Sequence, residues 1–432
     1  MLDWPLVTGV APIALTALGT GGLLSLVARR DRRWWSRSVP VVALGVGAGV
    51  GVAALAVAVL RPFPDRLPAV VWCALAVALS GIGLAVAQTR QAGWRRRTLV
   101  WLAAMSVIAA AANQVNQSYG EFPTMRAAFG LPMTNQVDFA HVSPAAATVI
   151  AVPPGQPMTA VWRPTRGMPT VGVVSQVTIP AITSGFSARP GWVYLPPAYL
   201  TSPRARLPVL VLLGGQPGSA RDWLDSGHLA AMMNRFAAAH AGLAPVVVMP
   251  DILGATLANP LCLDSHLGNA HTYLAHDVPA WIRSALQVDP DPARWAVAGF
   301  SGGGTCALQL AVNAPEVYQS FVDISGQSEP TLGDRTRTVA AAFGGDNAAF
   351  TAVNPLDVLV HRRFPDTAGM IVVGREDAVY RPQAQLVERV ARQSAMRIEY
   401  REIPGGHNWH VWAPGLQSAL PWLGARLNLT TP

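Results

Sequence analysis

The sequence predicts a two-part chain: four transmembrane helices, then an α/β domain built on a mostly parallel sheet with helices on both faces. Three observations carry this. The first quarter runs apolar in four stretches of membrane-crossing length. From Val171 onward, short β-branched runs alternate with amphipathic segments of helical length. Between one such strand and one such helix lies Gly299-Phe300-Ser301-Gly302-Gly303, a glycine-flanked serine.

The apolar stretches are Pro5 to Val27, Val39 to Leu60, Pro68 to Ala87 and Thr98 to Val115, each near the ~20 residues that cross about 30 Å of hydrocarbon. Repetition with charged loops between favours permanent spans over a removed signal peptide. Arg29, Arg30, Arg32, Arg33 and Arg37 follow the first span and Arg90, Arg95, Arg96 and Arg97 precede the fourth, whereas the second loop holds only Arg61 and Arg66. The first and third loops are therefore expected in the cytoplasm, with both termini outside: a multi-pass protein of the cell membrane whose C-terminal domain is extracytoplasmic. No ionisable residue sits mid-span, which favours an anchor over a transport path.

The net charge of +8 does not mark a nucleic-acid surface. Of 32 basic residues, all Arg, 11 precede Val115 against 3 of the 24 acidic ones, so the remainder balances at 21 each. The expected division is 1–115 transmembrane, 116–170 a Pro-, Gly- and Ala-rich linker, and 171–432 catalytic. Within the linker, Thr148 to Val152 is expected to add short edge structure.

The expected strands are Val173 to Pro180, Gly191 to Leu195, Pro208 to Leu213, Pro245 to Pro250, Trp295 to Ala298, Ser320 to Ile324, Gly369 to Val373 and Arg397 to Ile403. Helical spacing of apolar residues marks Asp222 to His240, Ala270 to Leu286, Gly303 to Asn313 and Pro382 to Gln393.

Ser301 is the candidate nucleophile. A tight turn from strand to helix removes space for Cβ atoms two residues before and two after it, which glycine tolerates. A serine hydroxyl is a weak nucleophile at neutral pH, so it needs an imidazole, and the imidazole needs a carboxylate. Only His407 and His410 follow the last expected strand; His407, approached through Gly405 and Gly406, is preferred. The acid is expected in the loop after Gly369 to Val373, where Asp377 is chosen over Glu376 for its shorter side chain. The loop Gly214-Gly215-Gln216-Pro217-Gly218 follows an early strand, so the backbone amides of Gln216 and Gly302 are the candidate oxyanion donors. His266, His271 and His276 lack zinc-ligand spacing, and the chemistry calls for no metal or organic cofactor.

Cys73 falls within a span. Cys262 and Cys306 both lie in the domain expected outside the cytoplasm, where an oxidising compartment permits a disulfide between them; two buried thiols are the alternative.

Val209 to Trp223, Thr272 to Ile282, Gly299 to Pro315 and Gly405 to Trp412 together resemble the esterase D family, which includes the antigen 85 mycolyltransferases. The resemblance covers about Pro190 to Leu423. Spans joined to such a domain are similar to actinobacterial membrane esterases, among them proposed aminoacyl-phosphatidylglycerol hydrolases. The resemblance implies an α/β-hydrolase fold, a triad at Ser301, Asp377 and His407, and oxyanion amides at Gln216 and Gly302. Many members carry His or Asp before the glycine of the oxyanion loop; this chain has Gly214, which leaves the polar support of that loop unassigned. The expected activity is hydrolysis of lipid or lipid-linked envelope esters at the outer membrane face. Acyl transfer to an alcohol, in the mycolyltransferase sense, and a catalytically silent binding module are the alternatives.

Overall fold

The computed structural model describes residues 2–28, 32–60, 67–89, 92–142, 145–153 and 155–431. Arg29, Arg30, Arg61, Arg66 and Arg90, used above for orientation, lie outside the described residues. The chain divides into two compact units, Met1–Leu131 and Pro132–Pro432, so the boundary falls inside the stretch read as linker.

The first unit holds four helices long and apolar enough to cross a membrane: α1 (Val10–Val27), α2 (Arg32–Leu60), α3 (Ala69–Thr89) and α4 (Trp94–Tyr119). Arg32, Arg33 and Arg37, expected in a loop, lie on the first turns of α2, and Arg95, Arg96 and Arg97 on the first turn of α4. α1 packs tightly on α4 because its interface is small. A Cβ on Gly19 would fall 2.3 Å from that of Ala110, and one on Gly22 would fall 2.3 Å from Ser106 Oγ. Small residues at this seam let the two helix backbones approach closely. α4 ends at Gly120, whose left-handed backbone (φ 71°) lets its N–H reach Asn116 O.

The second unit is built on one eight-stranded sheet, and every strand expected from the sequence is present. They are β1 (Val173–Val177), β2 (Gly191–Leu195), β3 (Val209–Leu213), β4 (Val246–Met249), β5 (Trp295–Phe300), β6 (Ser320–Ile324), β7 (Ala368–Gly374) and β8 (Arg397–Ile403). The order across the sheet is β1-β2-β4-β3-β5-β6-β7-β8. β1 and β2 run antiparallel to their neighbours and the rest are parallel. Parallel strands covered on both faces read as continuous apolar runs, and Val-Leu-Val-Leu-Leu of β3 is buried throughout. This is an α/β-hydrolase fold. The expected edge structure near Thr148 pairs Val149–Ile150 with Arg204–Ala205, in a separate two-stranded sheet. Met158 and Trp162, also in the stretch read as linker, are buried in the main core.

Helices flank the sheet: α5 (Asp222–Asp225), α6 (Leu229–Ala239), α7 (Val278–Ala285), α8 (Gly302–Asn313), α9 (Arg335–Phe343), α10 (Asn347–Val353), α11 (Pro355–His361), α12 (Tyr380–Gln393) and α13 (Trp409–Arg426). Two expected helices are corrected. Asp222 to His240 is not continuous: His228 adopts φ 49°, and a Cβ on Gly227 would strike Trp223 O at 2.6 Å, so the chain breaks between α5 and α6. Both pieces bury apolar residues, which is why periodicity runs through the break. Ala270 to Leu286 contains a π-helical turn, Tyr273–Asp277, before α7. There the Asp277 carboxylate accepts from the N–H groups of Thr183 and Ser184 at 2.8 and 3.0 Å.

Candidate active site

The parallel strands β5 and β7 end on the same side of the sheet, and the candidate residues sit on the turns that follow. β5 passes into α8 through Ser301, held at φ 53° and ψ −123°. The flanking glycines are required by contact: a Cβ on Gly299 would lie 2.3 Å from Gly303 O, and one on Gly303 would lie 2.3 Å from Gly214 O. The Ser301 N–H donates to Ile324 O at 2.8 Å, which fixes the turn against β6. Its side chain is left at the start of α8, where unpaired amides and the helix dipole favour negative charge.

The structure brings Ser301, His407 and Asp377 together. His407 Nε2 lies 2.9 Å from Ser301 Oγ, and Nδ1 lies 3.0 Å from Asp377 Oδ2. With the Nδ1–H donating to the carboxylate, Nε2 is left to accept the serine proton. Asp377 is 5% exposed, and its other oxygen accepts from the N–H groups of Tyr380 (2.9 Å) and Val379 (3.2 Å) at the start of α12. The carboxylate is thus held by main chain on one side and imidazole on the other.

Glu376, the rival acid, turns elsewhere: its carboxylate accepts from the backbone N–H of Gly405, bracing the loop that carries His407. A Cβ on Gly374 would meet Gly405 O at 2.3 Å, so the β7 turn and the histidine loop run in direct contact. His410 lies in the first turn of α13, exposed, with its N–H donating to Asn408 Oδ1 at 3.1 Å. Below the imidazole, Trp223, Phe300, Trp409 and Trp412 form an aromatic bed. Phe300 stacks on Trp412 at 4.4 Å between centroids and meets Trp223 edge-on at 5.3 Å.

Gln216 and Gly302 face each other beside Ser301: a Cβ on Gly302 would lie 3.5 Å from Gln216 N. Neither N–H has an acceptor among the described residues. The polar support left unassigned at Gly214 comes from Arg189 and Asp251, which the sequence did not single out, together with Asp222 and Trp223. Arg189 donates through Nη2 to Gly218 O at 2.9 Å while pairing with Asp251 at 2.7 Å. Asp251, almost fully buried, also accepts from the N–H of Gly254 at 2.9 Å. The Trp223 Nε1–H donates to Leu213 O at 2.8 Å, and Asp222 accepts from the N–H and hydroxyl of Ser219. Arg189 and Asp251 are 62 residues apart and carry no motif, so only the fold reveals them.

Cys262 and Cys306 are joined as a disulfide with Cα atoms 5.6 Å apart, and Cys73 in α3 is a free thiol. Among the described residues no cluster of His, Cys, Asp and Glu has metal-holding geometry. Burial lowers the pKa of His271. At the end of β6, burial pushes the Asp323 carboxyl up to about 7.

Residues 187–423, more than half of the chain, match the Esterase family, described as "Putative esterase". An uncharacterized protein of Corynebacterium glutamicum is 32% identical over 445 residues, covering 99% of each chain. Among solved structures, a ferulic acid esterase shares 19% identity over 59% of this chain and 98% of its own, with a TM-score of 0.51. An S-formylglutathione hydrolase from Agrobacterium tumefaciens (20% identity, 61% and 98% covered, TM-score 0.49) and MPT51 of Mycobacterium tuberculosis (18%, 58% and 97%, 0.42) are also similar. With its eight-stranded sheet, its glycine-flanked serine turn and this match, the chain belongs to the Esterase family of α/β-hydrolases.

Proposed function

We propose that this protein is a serine esterase, anchored by its four apolar helices, that cleaves lipid or lipid-linked envelope esters at the outer face of the cell membrane. An aminoacyl ester of a phospholipid is the candidate substrate. The observation that carries the reading is the unbroken path from Ser301 Oγ to His407 Nε2 and from Nδ1 to Asp377, at 2.9 and 3.0 Å.

In this reading Ser301 Oγ attacks the ester carbonyl carbon while its proton passes to His407 Nε2. The Gln216 and Gly302 amides receive the negative charge that forms on the carbonyl oxygen; losing one such donor typically costs ~10²–10³ in turnover. When the carbon–oxygen bond to the alcohol breaks, His407 returns the proton to the leaving oxygen. Water then attacks the acyl-serine, again giving its proton to His407, and the free acid departs. Asp377 holds one imidazole tautomer throughout and stabilises the imidazolium.

The arginine distribution around the apolar helices supports the outward orientation. A disulfide in the catalytic unit is in keeping with an oxidising compartment. Tethering to the bilayer is what favours lipid-linked esters over freely diffusing ones.

The test uses the full chain in detergent with p-nitrophenyl acetate and a fluorophosphonate probe. The expected result is hydrolysis together with a probe adduct on Ser301, both lost in Ser301→Ala. Wild-type turnover by Ser301→Ala would reject the reading.

A further inference from the structure

A small cavity of about 30 Å³ is lined in part by Gln216 and Gly302, the candidate oxyanion donors. Leu253, Leu261 and Pro330 form its apolar walls, and Thr305 and Gln327 add polar ones. We infer that this cavity receives the acyl side of the ester and admits only a short acyl group, of about two or three non-hydrogen atoms beyond the carbonyl carbon. The inference rests on Ser301 acting as the nucleophile.

Its position assigns the acyl side. The leaving oxygen has to face His407 Nε2 to be protonated, and no part of the histidine loop, Tyr380 or α13 lines the cavity. The cavity lies instead against the two amides that would hold the carbonyl oxygen and the first turn of α8. An ester bound with its oxygen between those amides and its alcohol toward His407 therefore points its acyl carbon into the cavity.

The volume sets the length. A water-sized group needs roughly 10–15 Å³ measured this way, so 30 Å³ holds about two or three such groups. A long fatty acyl chain does not fit within that volume.

The walls are pinned. Leu261 and Cys262 both adopt left-handed backbone (φ 65° and 53°), and Cys262 is bonded to Cys306 on α8, the helix that also presents Gly302. Gln309 of the same helix donates to Cys262 O at 3.2 Å. Asn259 accepts from the Leu261 N–H at 3.1 Å and donates to Thr331 O at 3.3 Å, tying the two sides of the cavity together. Thr305 Oγ1 donates to Gln327 Oε1 at 2.6 Å and accepts from the Gln327 N–H at 2.7 Å, so both polar side chains are already engaged. Leu253, Leu261, Thr305 and Gln327 are each less than a tenth exposed. Leu261 packs in turn on Val339 and Phe350 of α9 and α10, which back this wall.

The experiment measures kcat/KM for p-nitrophenyl acetate, butyrate and octanoate with the full chain in detergent. Acetate and butyrate are expected to exceed octanoate by at least about tenfold, the scale on which buried methylenes are discriminated. Leu253→Ala enlarges the cavity and is expected to raise octanoate relative to butyrate about fivefold. Thr331→Phe, made at a partly exposed position where folding is little at risk, is expected to lower butyrate relative to acetate. Octanoate cleaved as well as butyrate by the wild type, or an unchanged preference in a folded Thr331→Phe protein, would overturn the assignment while leaving Ser301 as nucleophile. Absence of both ester cleavage and a Ser301 fluorophosphonate adduct would overturn the serine-esterase reading and the pocket with it.

Discussion

Tyr380 lies face to face on the His407 imidazole, with ring centroids 3.8 Å apart and planes 19° apart, while Trp412 meets the same imidazole edge-on at 5.0 Å. The ring is therefore held on two sides by packing as well as by its hydrogen bonds. Aromatic pairs of this kind are worth about 0.5–1.5 kcal/mol, so Tyr380→Leu is expected to lower kcat by about two- to tenfold. KM for a small ester should change little. Tyr380→Phe keeps the stack while removing the hydroxyl that accepts from Gln327 Nε2 at 3.4 Å, so steady-state kinetics should place it within about twofold of wild type.

The two adjacent carboxylates have separate partners, which makes the identity of the acid testable. Asp377→Asn is expected to cost about 10⁴ in kcat, because an amide no longer selects the productive imidazole tautomer. Glu376→Gln keeps an acceptor oxygen for the Gly405 N–H and is expected to stay within about tenfold of wild type, the neutral hydrogen bond being somewhat weaker. The reverse ranking in kcat would transfer the role to Glu376.

The disulfide closes a loop across a sequence separation of 44 residues, which in the chain-entropy view stabilises the fold by about 4 kcal/mol. Cys262→Ala with Cys306→Ala is expected to lower the melting temperature by several degrees. Denatured protein without reductant should show one titrating thiol, Cys73, of the three cysteines in the chain. Three thiols in that assay would reject the bridge, and with it one support for the outward orientation.

Asp323 predicts a pH dependence of stability. It is 1% exposed; one oxygen accepts from the Gly326 N–H at 2.8 Å, and the other has no partner among the described residues. Burial raises its folded pKa from 3.8 to about 7, so the folded protein keeps a proton that the unfolded chain releases. That contribution is complete below pH 3.8 and is lost as pH rises through about 7. Asp323→Asn keeps an acceptor for Gly326 and cannot ionise. Its melting temperature relative to wild type is expected to climb between about pH 5 and about pH 8; a difference that stays flat across that range would refute the assignment.

The parts legible in the sequence are those set by local rules. Ser301 is marked by glycines that sterics demand, and His407 by its place after the last strand. Asp377 and Glu376 differ by one position, and choosing between them needs to know which carboxylate faces the imidazole and which faces Gly405. Arg189 and Asp251 escape sequence reading because their pairing is made by tertiary proximity, not by any pattern. α13 contains Pro414 and Pro421, residues that ordinarily break helices, so its 18 residues are hard to recognise from sequence although the helix accommodates both. The break at Gly227 escaped because apolar spacing continues across it. Met158 and Trp162 sit beside a single short helical turn, too brief to show a period, and only their burial reveals that they belong to the core.

Gly299, Gly303 and Gly374 each press against a carbonyl oxygen of another residue so closely that even a methyl group has no place. The turns that carry Ser301 and Asp377 are thus keyed to crowded peptide groups, whereas the neighbouring cavity is walled largely by side chains, Leu253, Leu261 and Pro330 among them. The two respond to mutation on different terms. An exchange at Leu253 or Pro330 reshapes the cavity without adding an atom to those crowded contacts, while any side chain at the three glycines collides with main chain. The cavity wall is accordingly the part of this region that tolerates a change of side chain, and the glycine turns are the part that does not.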